Sequence, residues 1–157
     1  PRMWSHRKVV AEVAAELTDA EYQRLLAFRI MLRRCDQWST RQALDSGLTH
    51  AQHQLLLAIR GHANHRGPTI GDVAQDLLVR HHTAVELANR TEELGLIART
   101  RDSDDRRVVR LTLTAKGRRR IRSLSAAHLD ELRQLAPILN ALVEDCGAHP
   151  TESPDTA

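Results

Sequence analysis

Between residues 18 and 44 apolar side chains return every three or four positions, at Tyr22, Leu25, Phe28 or Arg29, Leu32 and Cys35, which marks out one side of a long helix. Its start is written in Thr18-Asp19-Ala20-Glu21, where the threonine hydroxyl can accept the third helical amide while Glu21 reaches back to the cap; Ser46-Gly47 ends it. Thr49-His50-Ala51-Gln52 repeats the capping box and predicts a second helix, with Ala51, Leu55, Ala58, Ile59 and His62 along one side and a stop near His65-Arg66-Gly67-Pro68. Thr69 caps a short helix over 70–78, with Val73, Ala74 and Leu77 inward. A break at Val79-Arg80 leads into a further helix over 81–94, where Gly95 supplies a left-handed residue and Leu96 folds back onto the last turn. The period then changes to two. Residues 97–101 and 108–113 alternate as strands, joined by the charged stretch Asp102-Ser103-Asp104-Asp105-Arg106-Arg107.

Two short helices separated by a tight turn form a helix-turn-helix, and a hairpin directly after them makes a winged helix. Beyond Thr114-Ala115-Lys116-Gly117 the chain returns to helix: Ile121, Ser125, His128, Leu132, Leu135, Leu139 and Leu142 recur at alternating spacings of four and three, a seven-residue seam. Pro137 removes a backbone donor inside that seam, so a kink or a break into two helices is expected near Ala136. The predicted fold class is mainly α (α+β): a winged helix-turn-helix with a small antiparallel hairpin and a helical dimerisation region. We divide the chain into an N-terminal dimerisation region (1–47), a DNA-binding lobe (48–117), C-terminal dimerisation helices (118–147) and a disordered tail (148–157). Residues 1–17 are mixed in polarity and helical in character. The long helices on either side of the lobe have apolar stripes that the small core cannot cover, and a second copy of the chain is the economical cover.

Composition narrows this picture. With 157 residues, 41% of them hydrophobic, the chain can bury a core of its own, and aromatics at 3% favour Leu-, Val- and Ala-rich helices over an aromatic-rich sandwich. No apolar run approaches the roughly 20 residues of a bilayer span, and no charged-then-apolar leader is visible, so a soluble, intracellular protein without membrane partners is expected. Two cysteines, Cys35 and Cys146, are too few for a disulfide framework. The net charge of +3 is unevenly placed: residues 80–122 hold twelve Lys or Arg against six Asp or Glu, while the rest of the chain is net negative. Only Lys8 and Lys116 among the 23 basic residues are lysine, and the arginine fork suits phosphate oxygens and guanine edges.

The order of elements resembles the MarR family of bacterial transcriptional regulators over about residues 18–146. The residues that carry the resemblance are Leu94-Gly95-Leu96-Ile97-Ala98-Arg99, then Asp105-Arg106-Arg107, then Leu113-Thr114-Ala115-Lys116-Gly117, similar to the family's wing signature. The resemblance implies that Arg107 enters a minor groove, that Asp105 holds its guanidinium, and that Arg106 meets phosphate. It makes the helix over 81–94 the recognition helix, with Arg80, His81, His82, Thr83, Glu86, Asn89 and Arg90 as DNA-facing candidates; Arg90 can equally pair with Glu86 or Glu93 on its own helix. Arg80 stands where the family favours a small capping residue, Glu86 where a basic one is common, and Thr91 where a buried leucine is expected. Thr91 would bond its hydroxyl to the preceding turn or lie in a loosened core. The implied partners are double-stranded DNA, a second copy of the chain and a small-molecule effector, in a bacterial cytoplasm with nucleoid association when DNA is bound. The effector pocket, implied between the first, second and fifth helices, draws on Tyr22, Phe28, Trp38 and His53, each of which also suits a packing role.

Other chemistry is weaker. His50-x-x-His53, His62-x-x-His65 and His81-His82 have helical ligand spacing, but nine histidines make such pairs frequent and no thiolate or carboxylate completes a set; no metal and no cofactor are expected. His128 on the seam reads as a hydrogen-bonded core or interface residue, Cys35 as a small buried thiol, and Cys146 as exposed and incidental. A Gly-rich phosphate loop, a Gly-x-Ser-x-Gly elbow and a His-Glu-x-x-His are all missing, so the chain is not read as an enzyme. The alternatives kept open are a redox- or metal-responsive regulator on the same fold, and a winged-helix module for protein contacts without DNA.

Overall fold

The computed structural model describes residues 17–147, and their side chains as far as residue 141. The expectations for residues 1–16, for the tail over 148–157 and for the side chains of Leu142 and Cys146 lie outside what is described. The order is α1 (Asp19–Asp45), α2 (His50–Gly61), α3 (Ile70–Asp76), α4 (His81–Glu93), β1 (Ile97–Arg101), β2 (Val109–Leu113) and α5 (Ala115–Gly147). Two compact units emerge: residues 35–134, and a smaller one made of 17–34 with 135–147.

The caps read from the sequence are made. The Glu21 amide donates to Thr18 Oγ1 at 3.3 Å while the Thr18 amide donates to Glu21, and reciprocal pairs join Thr49 to Gln52 and Thr69 to Asp72. At the end of α4 the Gly95 amide donates to the Glu92 carbonyl and the Leu96 amide to the Thr91 carbonyl, a double closure that requires the left-handed φ of +68° at Gly95. The end of α3 closes in the same way, Leu78 to Gln75 and Val79 to Ala74, but here Leu78 takes the left-handed position at φ +54°. Gly117, in the first turn of α5, has a different reason to be glycine: a Cβ there would run into the Leu96 carbonyl.

In the larger unit Leu55, Leu56 and Ile59 of α2, Val73 of α3, Ala84 and Ala88 of α4, Leu111 and Leu113 of β2, and Ile121 and Leu124 of α5 form one buried cluster. β1 and β2 pair antiparallel with Ile97 opposite Leu113 and Arg101 opposite Val109, and the Leu111 amide donates to the Pro68 carbonyl, fastening β2 to the segment before α3.

Several expectations are corrected. α2 buries Gln52, His53, Leu55, Leu56 and Ile59, leaving Ala51 exposed and Ala58 and His62 half-buried, because turning Leu56 inward removes more apolar surface from water than Ala51 can. It also stops at Gly61: His62 is extended, and side chains take over the next amides, Asn64 N–H donating to His62 Nδ1 and Arg66 N–H to Asn64 Oδ1. Of the kink or break expected near Ala136, the break is absent: α5 runs through Pro137 as one helix. As expected of a stripe the core cannot cover, among the described seam residues Ile121 is buried, Leu132 is exposed and Leu135 and Leu139 are half-buried; Leu124 is buried beside Ile121. Cys35, read as a small buried thiol, is half-buried.

In the smaller unit Tyr22, Leu25, Leu26, Phe28, Leu32 and Ile138 are exposed large apolar side chains.

Candidate nucleic-acid interface

α4 has two opposed faces. Ala84, Ala88 and Thr91 are fully buried at spacings of four and three, whereas His81, His82, Thr83, Glu86, Asn89 and Arg90 are all exposed. Arg80 occupies the N-cap but makes no side-chain cap bond, so its exposed guanidinium is not committed to the helix end. Thr91 donates its hydroxyl to the Leu87 carbonyl at 2.7 Å, which satisfies the one polar atom it brings into the core. Of the two pairings open to Arg90, the structure shows Glu86, at 3.3 Å. Asn89 Oδ1 accepts from Arg99 Nη2 at 2.7 Å, and Arg99 also pairs with Glu92, so a β1 residue that sequence spacing does not single out holds this part of the helix surface.

At the hairpin tip, Arg107 is bound to one carboxylate by three donors. Its Nε and Nη2 donate to Asp105 at 3.1 and 3.3 Å, and its backbone N–H donates to Asp105 Oδ1 at 3.0 Å. These bonds, the side-chain ones first, hold the Asp105 carboxyl below the usual carboxylate range. The Arg107 side chain is nevertheless 92% exposed, and Arg106 beside it is exposed too. An arginine almost wholly in solvent yet oriented by an acid is chemically suited to meet an anion.

The four residues assigned to an effector pocket divide. Tyr22 and Phe28 belong to the smaller unit and are exposed there. Trp38 and His53 lie in the larger unit and come together through His128, whose ring centroid is 4.8 Å from Trp38 and 4.6 Å from His53. His128 is held at both nitrogens: Nδ1 is 2.7 Å from the Leu124 carbonyl and Nε2 2.9 Å from Ser39 Oγ, so Nδ1 carries the donating proton. His53 is 1% exposed, its Nδ1 is buried with no hydrogen-bond partner, and burial, with His128 and His50 nearby, pushes its pKa down to about 4. Of the hydrogen-bonded core or interface role read for His128, the structure shows the hydrogen bonds, on a half-buried side chain.

Among the described residues no three His, Cys, Asp or Glu side chains gather to hold a metal, and no helix is long and apolar enough to cross a membrane.

This order of helices followed by a two-stranded wing defines a winged helix-turn-helix protein. A model of the MarR family matches residues 46–108. Among curated proteins, the HTH-type transcriptional repressor MdtR of Bacillus subtilis (strain 168) is 34% identical over 71 residues, 45% of this chain and 44% of MdtR; the match spans less than half of that relative's length. Among solved structures, a mutant of S. aureus MepR bound to an oligodeoxyribonucleotide is similar with a TM-score of 0.58 and 25% identity, covering 77% of this chain and 83% of that one. A MarR family protein from Bacillus stearothermophilus has a TM-score of 0.63 at 24% identity, covering 81% and 88%. Residues 46–108 are thus similar to the MarR family, and the fold is that of its solved members.

Proposed function

We propose that the protein is a sequence-specific double-stranded DNA-binding transcriptional regulator, a ligand-responsive repressor acting in the bacterial cytoplasm as a homodimer on a pseudo-palindromic operator. The observation that carries this is the Asp105–Arg107 pair: a guanidinium already oriented at an exposed tip loses little freedom on entering the negative potential of a narrow minor groove. Arg80, His81, His82, Thr83, Glu86, Asn89 and Arg90 present the polar face of α4 to base edges and flanking phosphates in the major groove, and Arg106 meets phosphate. Support from relatives is of the same kind: MdtR is named a repressor, and the MepR mutant is bound to an oligodeoxyribonucleotide.

The exposed apolar side chains of α1 and α5 support a second copy as partner, with 48–117 as the DNA-contacting lobe and the flanking helices as dimerisation segments. Two-fold symmetry then sets half-sites about one helical turn apart. A small-molecule effector is the third partner. Trp38 and His53 are the members of its candidate set that lie in the larger unit, and the unpartnered Nδ1 of His53 supports a polar ligand atom there. A ligand that prefers the dimer with misplaced α4 helices would draw the population away from the DNA-competent form.

The test is a salt titration of binding to duplex DNA taken from beside the protein's own gene. Affinity is expected to fall roughly a thousandfold between about 50 and 200 mM salt if about six phosphates are neutralised, and sequence preference to survive competitor DNA. A flat salt response would leave a protein-contact module as the better reading.

A further inference from the structure

We propose that Asp102 is the positioning residue of the wing: its buried carboxylate ties the tip that carries Arg107 to the loop before α3, and so fixes where that arginine is presented. The proposal rests on the reading of the wing as a DNA contact. Asp102 is only 6% exposed, unlike the other acids of the tip. A buried carboxylate is costly unless its lone pairs are matched, and here they are. Oδ1 accepts from Arg66 Nη1 at 3.0 Å and from the Asp104 amide at 2.9 Å, and Oδ2 accepts from Arg110 Nε. Arg110 extends the tie by donating Nη1 to the Gly67 carbonyl at 3.0 Å, and Arg66 also bonds Asp104. The Asp102 amide donates to Val108 O, and the Val108 amide to Asp105 O, which closes the tip over the residues that present Arg107.

One carboxylate therefore does two things. It folds the tip through the Asp104 amide, and it fastens that tip to residues 66 and 67. The same segment runs on through Pro68, whose carbonyl takes the Leu111 amide, into Thr69, the cap of α3. The hairpin and the helix-turn-helix thus share one fastening. The Arg110 bond, then the Asp104 amide, hold the Asp102 carboxyl far below the usual carboxylate range, so the fastening stays charged throughout ordinary pH.

The sign of the effect separates positioning from charge. Removing an anion from beside DNA should tighten binding on electrostatic grounds, whereas loss of the fastening should weaken it. Asp102→Asn is expected to weaken binding to duplex DNA from beside the protein's own gene about 10-fold, since the tip must then be ordered on binding. Most of that loss should vanish in an Arg107→Ala background, because Asp102 acts through Arg107. Arg66→Ala, on the more exposed side of the tie, is the companion variant should Asp102→Asn fold poorly. Its loss should show the same dependence on Arg107, whereas a direct phosphate contact by Arg66 would persist without Arg107. In the free protein, hydrogen exchange at the Asp104 and Val108 amides should accelerate in Asp102→Asn while α4 amides keep their rates. Unchanged or tighter DNA binding by Asp102→Asn, or unaltered exchange at the tip, overturns the proposal. If wild-type protein does not bind duplex DNA, or Arg107→Ala costs nothing, the DNA reading of the wing fails instead, and the exchange measurement alone then decides the fastening.

Discussion

Arg107 combines near-complete exposure with three hydrogen bonds to a single acid, so its removal should touch function and not stability. Arg107→Ala is expected to lower operator affinity about 10- to 100-fold in a fluorescence anisotropy titration while leaving the denaturation midpoint and dimerisation unchanged. Asp105→Ala should act in the same direction but more mildly, because the guanidinium remains and is merely less ordered. The Glu86–Arg90 pair, with both side chains mostly in solvent, contributes little stability of its own. Thr91 is fully buried with its hydroxyl bonded to Leu87, and Thr91→Val, which keeps the shape and removes donor and hydroxyl together, should shift unfolding free energy by less than about 1 kcal/mol. Local pairs such as Thr49 with Gln52 or Glu86 with Arg90 were legible because helix geometry fixes which near neighbours meet, and Asp105 with Arg107 through the family resemblance. The bonds of Asn89 to Arg99 and of Asp102 to Arg66 were not, since they depend on how β1 and the tip pack against segments well apart in sequence. An Asp two residues before an amide it accepts from is a turn signal, and it is the one cue that would have drawn attention to Asp102.

At the level of elements, the α3–α4 turn carries a cost that its sequence did not announce. Leu78 is 92% exposed and holds a left-handed backbone that glycine holds at the end of α4. Leu78→Gly should therefore raise unfolding free energy by roughly 0.5–1 kcal/mol in chemical denaturation, because the strain is relieved and a side chain in solvent gives up no core packing. The junction of α1, α2 and α5 around His53 yields a pH dependence. Its pKa is about 4 when folded and 6.5 as an unperturbed histidine, so between these values the unfolded chain binds the proton that the folded chain refuses. Stability should be level above about pH 7 and fall as pH drops, by about 2 kcal/mol between pH 7.5 and 5, and His53→Leu should flatten that slope. Helix starts and strand limits were readable from caps and periodicity, whereas the buried face of α2 was not: Leu56 and His53 turn inward only because β2 and His128 are there to receive them. Pro137 does not divide α5, since a long helix can lose one backbone bond and continue.

For the whole molecule, the positive charge concentrated between residues 80 and 122 falls on α4, the wing and the start of α5, and part of it is already matched inside the protein. Lys116 donates to the Leu94 carbonyl, Arg118 to Leu113 and Arg120 to Ser46, so these cations satisfy the ends of α4, β2 and α1 and are less available to phosphate than the run of basic letters suggests. A charge count in sequence could not make that distinction; Arg80, Arg90, Arg106 and Arg107 are the exposed arginines that the DNA reading uses. The apolar stripe of α1 was legible as a stripe, and its exposure in the single chain is the physical ground for proposing a second copy. The account stands or falls on stoichiometry. Sedimentation equilibrium of the protein with a duplex that it protects from nuclease should give two chains per duplex at micromolar concentration, with protection repeated about one helical turn apart. A single chain per duplex, or DNA sedimenting free of protein, would contradict it.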